Sequence, residues 1–365
     1  MQDALHEVEL LRVRLPLVAP FRTARAATFV KDALLVRVRT EAGIGWGECT
    51  APPTPEYDGE TVDGSRLALR DHLLPRAFVG AVLDDVRGAN AARSALECAV
   101  LDARLRATGV SLAAWLGAAR TEVDAGVAVG LTDDLDALRR VVAAYATAGY
   151  RRIKCKIEPG RDVAVLRAAR AEVGPALQLA ADANGTYSLD DAFRLFADVD
   201  DIGLQCVEQP CASDAIEEHA ALVAQVATPV CLDETITSPV AARDALARRA
   251  CDVVAVKVGR LGIEGARRVH DTCVGAGIAA LAGGMLETGI GRAALLAVAA
   301  LPGFTLTGDC SASERYFGID GDLTQPFVLE AGRLRVPNGP GLGVEPIPDR
   351  LARYTVARER ITRRD

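Results

Sequence analysis

The chain has 365 residues and a mass of 38.4 kDa; 50% of its residues are apolar and 25% charged, with a net charge of −7 and a pI near 5.3. At ~150 residues per domain this length suggests about two units. The composition excludes extended disorder and collagen-like repeats, and the acidic balance gives a nucleic-acid partner no electrostatic support. The longest apolar run, Ala293 to Leu301, stops at nine residues, well short of the ~20 that cross a membrane. The opening MQDALHEVEL has no basic stretch followed by an apolar one, so no secretory signal is expected and the location is read as cytoplasmic. Nine cysteines without a CxxC pair read as small buried hydrophobes rather than a disulfide framework or zinc site.

In chain order, the segments HEVELLRVRL, DALLVRVRT and IGWGE alternate as three strands of an antiparallel meander, with Glu41-Ala42-Gly43 as the second turn. The Pro-rich stretch CTAPPTPEYDG is expected as a loop that covers a site. An amphipathic helix follows from Asn90 to Thr108, stopped by Gly109. Residues 1–123 thus form an α+β capping domain. From about residue 124, GVAVG, RIKCKI, LQLAAD, GLQCVE, PVCLD, VVAVK, IAALAG and FTLTG alternate with Ala- and Arg-rich helical stretches. Eight strands so spaced predict a parallel barrel over 124–322. The tail, 323–365, carries a hairpin-like FVLEAGRLRVP and is expected to pack back onto the cap.

Charged residues end the middle strands at a regular interval. Lys156 to Asp182 is 26 residues, to Glu208 another 26, to Asp233 25 and to Lys257 24. The C-terminal ends of barrel strands are where such enzymes carry their chemistry. Asp182, Glu208 and Asp233 would converge at one mouth, and their repulsion in a low-dielectric setting calls for a counter-charge. Oxygen-only donors favour Mg²⁺; the alternative is three solvated acids, each paired with an arginine. Of 42 basic residues only Lys31, Lys154, Lys156 and Lys257 are lysine, the one cation that burial can neutralise near pH 7.

Lys156 and Lys257, ending strands four apart, should face each other across the mouth. That arrangement suits proton abstraction α to a carboxylate held on the metal. A base needs its pKa lowered from ~10.4 toward about 7.5, equivalent to roughly 4 kcal/mol. Lys154, on the same face as Lys156, and Arg260, three residues past Lys257, supply like charge for this. Asn184 either touches substrate or a metal-bound water, or shapes the turn before Gly185. Glu234 is either a support for its ligand neighbour or a surface acid. Gly283, Gly284 and Met285 either let a ligand approach the backbone or make a turn. The four histidines fall on no strand end.

KCK (154–156), DAN (182–184), EQP (208–210), DET (233–235) and KVGR (257–260) resemble the enolase superfamily, muconate-lactonizing subgroup. GGMLETGIGRA (283–293), GDCSASERYF (308–317), PLVAPFRT (16–23) and KIEPG (156–160) are similar to o-succinylbenzoate synthases of the group that also racemises N-acylamino acids. The resemblance covers nearly the whole chain. It implies a (β/α)7β TIM-like barrel under an α+β cap completed by the tail, and acid/base roles for Lys156 and Lys257. It further implies one Mg²⁺ (or Mn²⁺) on Asp182, Glu208 and Asp233, a loop near Phe21 and Arg22 closing over a small carboxylate substrate, and a homo-oligomer. In synthase chemistry Lys156 would take the α-proton while Lys257 stays cationic; in racemisation the two would work from opposite faces. The chain departs from the pattern at Cys155, at Thr235 (DET for DES) and at Ala128, which replaces a hydroxyl near substrate. N-Acylamino-acid racemisation as the main role is the first alternative, then dipeptide epimerase or muconate cycloisomerase. A silent binding protein on the same barrel is disfavoured by retention of all three acids and both lysines.

Overall fold

The computed structural model describes residues 4–55, 59–81, 83 and 88–363, so the Pro-rich loop lies in part outside the described residues. β1 (Leu5–Arg22), β2 (Ala27–Thr40) and β3 (Ile44–Cys49) form the expected antiparallel meander, longer at its first hairpin than the alternation suggested. Both faces of this sheet are buried. Leu11, Val13, Leu15, Ala33 and Leu35 pack toward the barrel, whereas Val8, Leu10, Leu34, Val36 and Val38 pack with Ala92, Ala95, Leu96 and Ala99 of the helix Asn90–Thr108. That helix ends at Gly109 in the left-handed conformation (φ 70°), as predicted. It lies directly on β3, since a Cβ at Gly45 would stand 2.1 Å from the Ala99 carbonyl oxygen and one at Gly47 2.0 Å from that of Ala95.

After the short β4 (Glu122–Asp124), the strands β5 (Gly126–Val129), β6 (Arg152–Lys156), β7 (Gln178–Asp182), β8 (Val207–Glu208), β9 (Val230–Leu232), β10 (Val253–Val256) and β11 (Ala279–Ala282) form one parallel sheet in sequential order. Helices follow most of these strands and bury their outer faces, the sequential βα arrangement that curls a parallel sheet. The predicted eighth strand, FTLTG, is not a regular strand. Its segment instead closes the gap with single bonds: Leu306 N–H to the Ala280 carbonyl, Asp309 N–H to Ala282, and Gly126 N–H to Cys310. Side chains complete the seam, the Ser311 hydroxyl donating to the Gly126 carbonyl and the Arg315 guanidinium to that of Ala128. Two glycines explain the irregularity: a Cβ at Gly308 would stand 2.2 Å from the Ala282 oxygen, and one at Gly126 2.0 Å from the Gly308 oxygen, so the backbones approach too closely for an ordinary ladder.

Small side chains, Ala180, Cys206, Cys231, Val253, Ala255 and Leu281, fill the interior below the charged mouth. All nine cysteines are buried and free. In the tail, β12 (Arg333–Arg335) pairs with β4, and β13 (Thr355–Thr362) pairs with β1 from Glu7↔Thr362 to Val13↔Thr355. The cap sheet therefore runs β13-β1-β2-β3. No helix among the described residues is long and apolar enough to cross a membrane.

Candidate active site

Strand register brings the predicted charges together. Lys156, Asp182 and Glu208 are consecutive Cα partners across β6, β7 and β8. Asp233 follows β9 by one residue, and Lys257 follows β10 by one. Three acid-bearing strands thus separate the two lysines. All five side chains are nine-tenths buried or more. Lys156 Nζ donates to Asp182 Oδ2 (2.6 Å) and Asn184 Oδ1 (2.8 Å); Lys257 Nζ donates to Asp233 Oδ2 (2.6 Å). Arg260 reaches the same acid, 2.8 Å to its carbonyl and 3.1 Å to Oδ1.

One expectation is corrected here. Lys154 does not stand beside Lys156 as a bare like charge. Its ammonium lies 2.9 Å from both Glu208 oxygens, 3.0 Å from Asp182 Oδ2 and 2.6 Å from Asp309 Oδ2. Burial opposes its charge, yet Asp182, Asp309 and Glu208 outweigh that and hold Lys154 well above the usual lysine range. Lys257 is likewise raised: burial pushes it down, with help from Arg260, but Asp233 prevails. In this arrangement, therefore, the acids keep Lys154 and Lys257 protonated. The carboxylates respond in turn. Despite burial, Lys154 and Lys156 hold Asp182 far below its ordinary range, and Lys257 and Arg260 do the same for Asp233.

Asn184 and Glu234 both belong to the cluster. Asn184 Nδ2 donates to Glu234 Oε1 at 2.9 Å, so one amide links the Lys156 ammonium to a buried acid across β7 and β9. Burial and the neighbouring Asp233 raise Glu234 above the ordinary range. Asn184 (φ 47°) and Gln209 (φ 42°) take left-handed backbone conformations, local strain of the kind that collects at functional sites. Gln209 braces the next strand end: its Oε1 accepts the Asp233 and Thr235 N–H groups, while its amide donates to the Thr235 hydroxyl. Thr235, the departure from the family pattern, donates onward to the Ser213 carbonyl.

The loop after β11 packs against this machinery. A Cβ at Gly283 would meet Lys257 Cγ at 2.8 Å and Cε at 3.0 Å; one at Gly284 would meet the Asp309 carbonyl oxygen at 3.0 Å. Met285 is pinned twice, its N–H by Glu287 Oε1 (2.7 Å) and its carbonyl by Lys31 Nζ (3.1 Å) from the cap. Glu48, also from the cap, accepts the Thr288 hydroxyl (2.7 Å) and the Thr288 and Gly291 N–H groups at the start of the helix Gly289–Ala299. Phe21 turns inward, edge-on to Tyr316 at 6.3 Å between ring centroids. Arg22 does not join the site; it pairs at the surface with Asp133. Alternation along an extended segment sends neighbours to opposite sides, which is why the two separate. Arg25 instead reaches the barrel, donating to the Asn184 carbonyl at 2.8 Å.

Two residues of the cluster went unread in the sequence. Arg152, fully buried, pairs with Asp309 at 2.6 Å, and Asp309 holds Lys154 as well. Arg152, Lys154 and Lys156 alternate along β6, so the period-two signal was present. Asp309 sits on the closing segment, which gives no strand pattern.

The donor set fits a divalent cation in kind. Three buried carboxylates end adjacent strands, a set of oxygen donors alone. Burial and Asp182 push Glu208 well above the carboxylate range even with Lys154 against it. Among the described residues no three such side chains already stand at metal-binding spacing, because each acid is turned onto an ammonium.

A domain model described as enolase C-terminal domain-like matches residues 136–350, and one for the mandelate racemase/muconate lactonizing enzyme N-terminal domain matches residues 5–117. The chain belongs to the enolase superfamily. Among superfamily relatives, an N-succinylamino acid racemase from Amycolatopsis is 48% identical, covering 97% of this chain and 98% of the relative. An o-succinylbenzoate synthase from Geobacillus stearothermophilus is 40% identical over 95% of each. A solved superfamily structure from Listeria innocua superposes with a TM-score of 0.92 at 34% identity, covering 99% of both chains.

Proposed function

We propose that this chain is a Mg²⁺-dependent enzyme that removes the proton α to a substrate carboxylate, acting as an o-succinylbenzoate synthase and racemising N-succinylamino acids with the same two lysines. The observation that carries this reading is the placement of Lys156 and Lys257 on either side of Asp182, Glu208 and Asp233, all buried at one barrel mouth. Asp182, Glu208 and Asp233 would hold the metal, whose charge acidifies the α-proton when bound.

The chain's own residues do the rest. Lys156, as the neutral amine, takes the α-proton once its contact with Asp182 is broken. Asn184, fixed by Glu234, keeps the amine aimed while that contact is broken. In dehydration, Lys156 then returns its proton to the departing hydroxide, which leaves as water. Lys257 stays cationic and stabilises the negative charge that builds on the carboxylate; its raised proton affinity suits that role. In racemisation one lysine removes the proton and the other delivers one to the opposite face.

The 48% identity to the Amycolatopsis racemase supports racemisation as the main role, and the 40% identity to the Geobacillus stearothermophilus synthase supports dehydration. Steady-state assays of the purified protein with Mg²⁺ and both substrate types decide between them by the ratio of kcat/KM. No turnover of either substrate rejects the proposal. Lys156→Ala and Lys257→Ala should each abolish racemisation, whereas Lys257→Arg should keep some dehydration because a fixed cation suffices there. Equal loss of both reactions in Lys257→Arg counts against this division of roles.

A further inference from the structure

Arginine supplies 38 of the 42 basic residues, and the four lysines are all buried, at 5% (Lys31), 2% (Lys154), 8% (Lys156) and 5% (Lys257) exposure. Lys154, Lys156 and Lys257 each face a carboxylate. Lys31 does not. Its ammonium makes one hydrogen bond, to the Met285 carbonyl at 3.1 Å, and no carboxylate among the described residues lies within ion-pair distance. The Glu287 carboxylate feels the charge of Lys31 without pairing with it, its Oε1 being turned to the Met285 N–H, and Asp32, next to Lys31, is taken by Arg12 and Arg14. An ammonium with three donors, nine-tenths buried and satisfied once, is a costly arrangement unless an anion completes it.

Its position says which anion. Lys31 lies on the barrel-facing side of β2, in step with Ala33 and Leu35. It touches the loop that also packs on the Lys257 stem through Gly283. We infer that Lys31 is the cation that receives the terminal carboxylate of a succinyl group, while the reacting carboxylate lies at the acid cluster. The inference rests on the proposed function, and it explains how one site takes both substrate types. Besides the reacting carboxylate and its α-proton, o-succinylbenzoate chemistry and N-succinylamino acids share a four-carbon arm ending in a carboxylate, and little else.

The test compares N-succinyl and N-acetyl derivatives of one amino acid, the second lacking the terminal carboxylate. Wild-type turnover is measured first; its absence with both compounds defeats the racemase part of the proposed function and this inference with it. Given turnover, Lys31→Gln keeps an N–H donor for the Met285 carbonyl but removes the charge. It should lower kcat/KM for the N-succinyl substrate roughly tenfold more than for the N-acetyl one, mostly through KM. Lys31→Arg should retain the preference for the succinyl compound. Equal losses on the two substrates in Lys31→Gln would show that Lys31 only braces the loop, and would overturn the inference while leaving the function intact. Loss of the preference in Lys31→Arg, with Lys31→Gln unaffected, would overturn it equally.

Discussion

Gly283→Ala is the smallest change that reaches the proposed acid/base machinery without touching a charged group. Gly283 has no left-handed backbone requirement, so alanine meets no conformational penalty; the obstacle is space. The added methyl would stand 2.8 Å from Lys257 Cγ, 3.0 Å from Cε and 3.5 Å from Cδ. Carbon pairs settle at about 3.5–4.0 Å, so the lysine stem must move by roughly 0.5–1 Å. Overpacking of this kind costs about 1–3 kcal/mol of stability, whereas a misplacement near 1 Å costs about 100-fold in rate. The protein should therefore remain folded with one amine displaced. The assay is exchange of the α-proton of each enantiomer of an N-succinylamino acid in D₂O, followed by NMR. Exchange should fall about 100-fold for the enantiomer whose proton faces Lys257, and much less for the one facing Lys156. Equal rates for both enantiomers, at the wild-type level, would refute the placement of Lys257 on its own side of the substrate.

Lys154→Met strands Glu208, Asp182 and Asp309 without their common ammonium. The metal-free protein should lose about 3–5 kcal/mol, part of it recovered on adding Mg²⁺, as read by denaturant titration with and without the ion. Glu48→Ala removes acceptors from the Thr288 hydroxyl and from two backbone N–H groups at a helix start. A loss of about 3 kcal/mol is expected, with the barrel helix and cap loosening together in hydrogen exchange. Glu287 is raised above its ordinary pKa by burial and by Glu48. A raised acid binds its proton more tightly folded than unfolded, so its contribution is largest below the unfolded value of ~4.3 and fades as pH rises through the folded one. Glu287→Gln should flatten that fall above pH ~4.3 and be the more stable form, relative to wild type, toward neutral pH; an unchanged slope would rule the assignment out.

The strand-end charges were legible because each βα unit repeats after about 25 residues and each charge closes an apolar run. Helix Asn90–Thr108 was legible from its stop glycine. Partner choice was not. Which acid faces Lys154 depends on how β6, β8 and the closing segment stagger around the barrel, so a residue read as a like-charge neighbour of Lys156 proved to be a counter-ion for three carboxylates. Asp309 stayed hidden for the same reason, since it lies on a segment whose close-packed glycines erase the strand pattern. The inward turn of Phe21 and the outward turn of Arg22 depend on a single residue of phase, which composition does not record.

Residues 355–362 supply the strand that covers the outer edge of β1. Leu5–Arg22 are synthesised long before Thr355–Thr362, so that edge stays unpaired while the whole barrel between them is made. Until then a long strand lies open along one side, a template for pairing with another nascent chain. Interrupting synthesis ahead of residue 355 would thus leave a molecule that has every barrel strand but an adhesive cap.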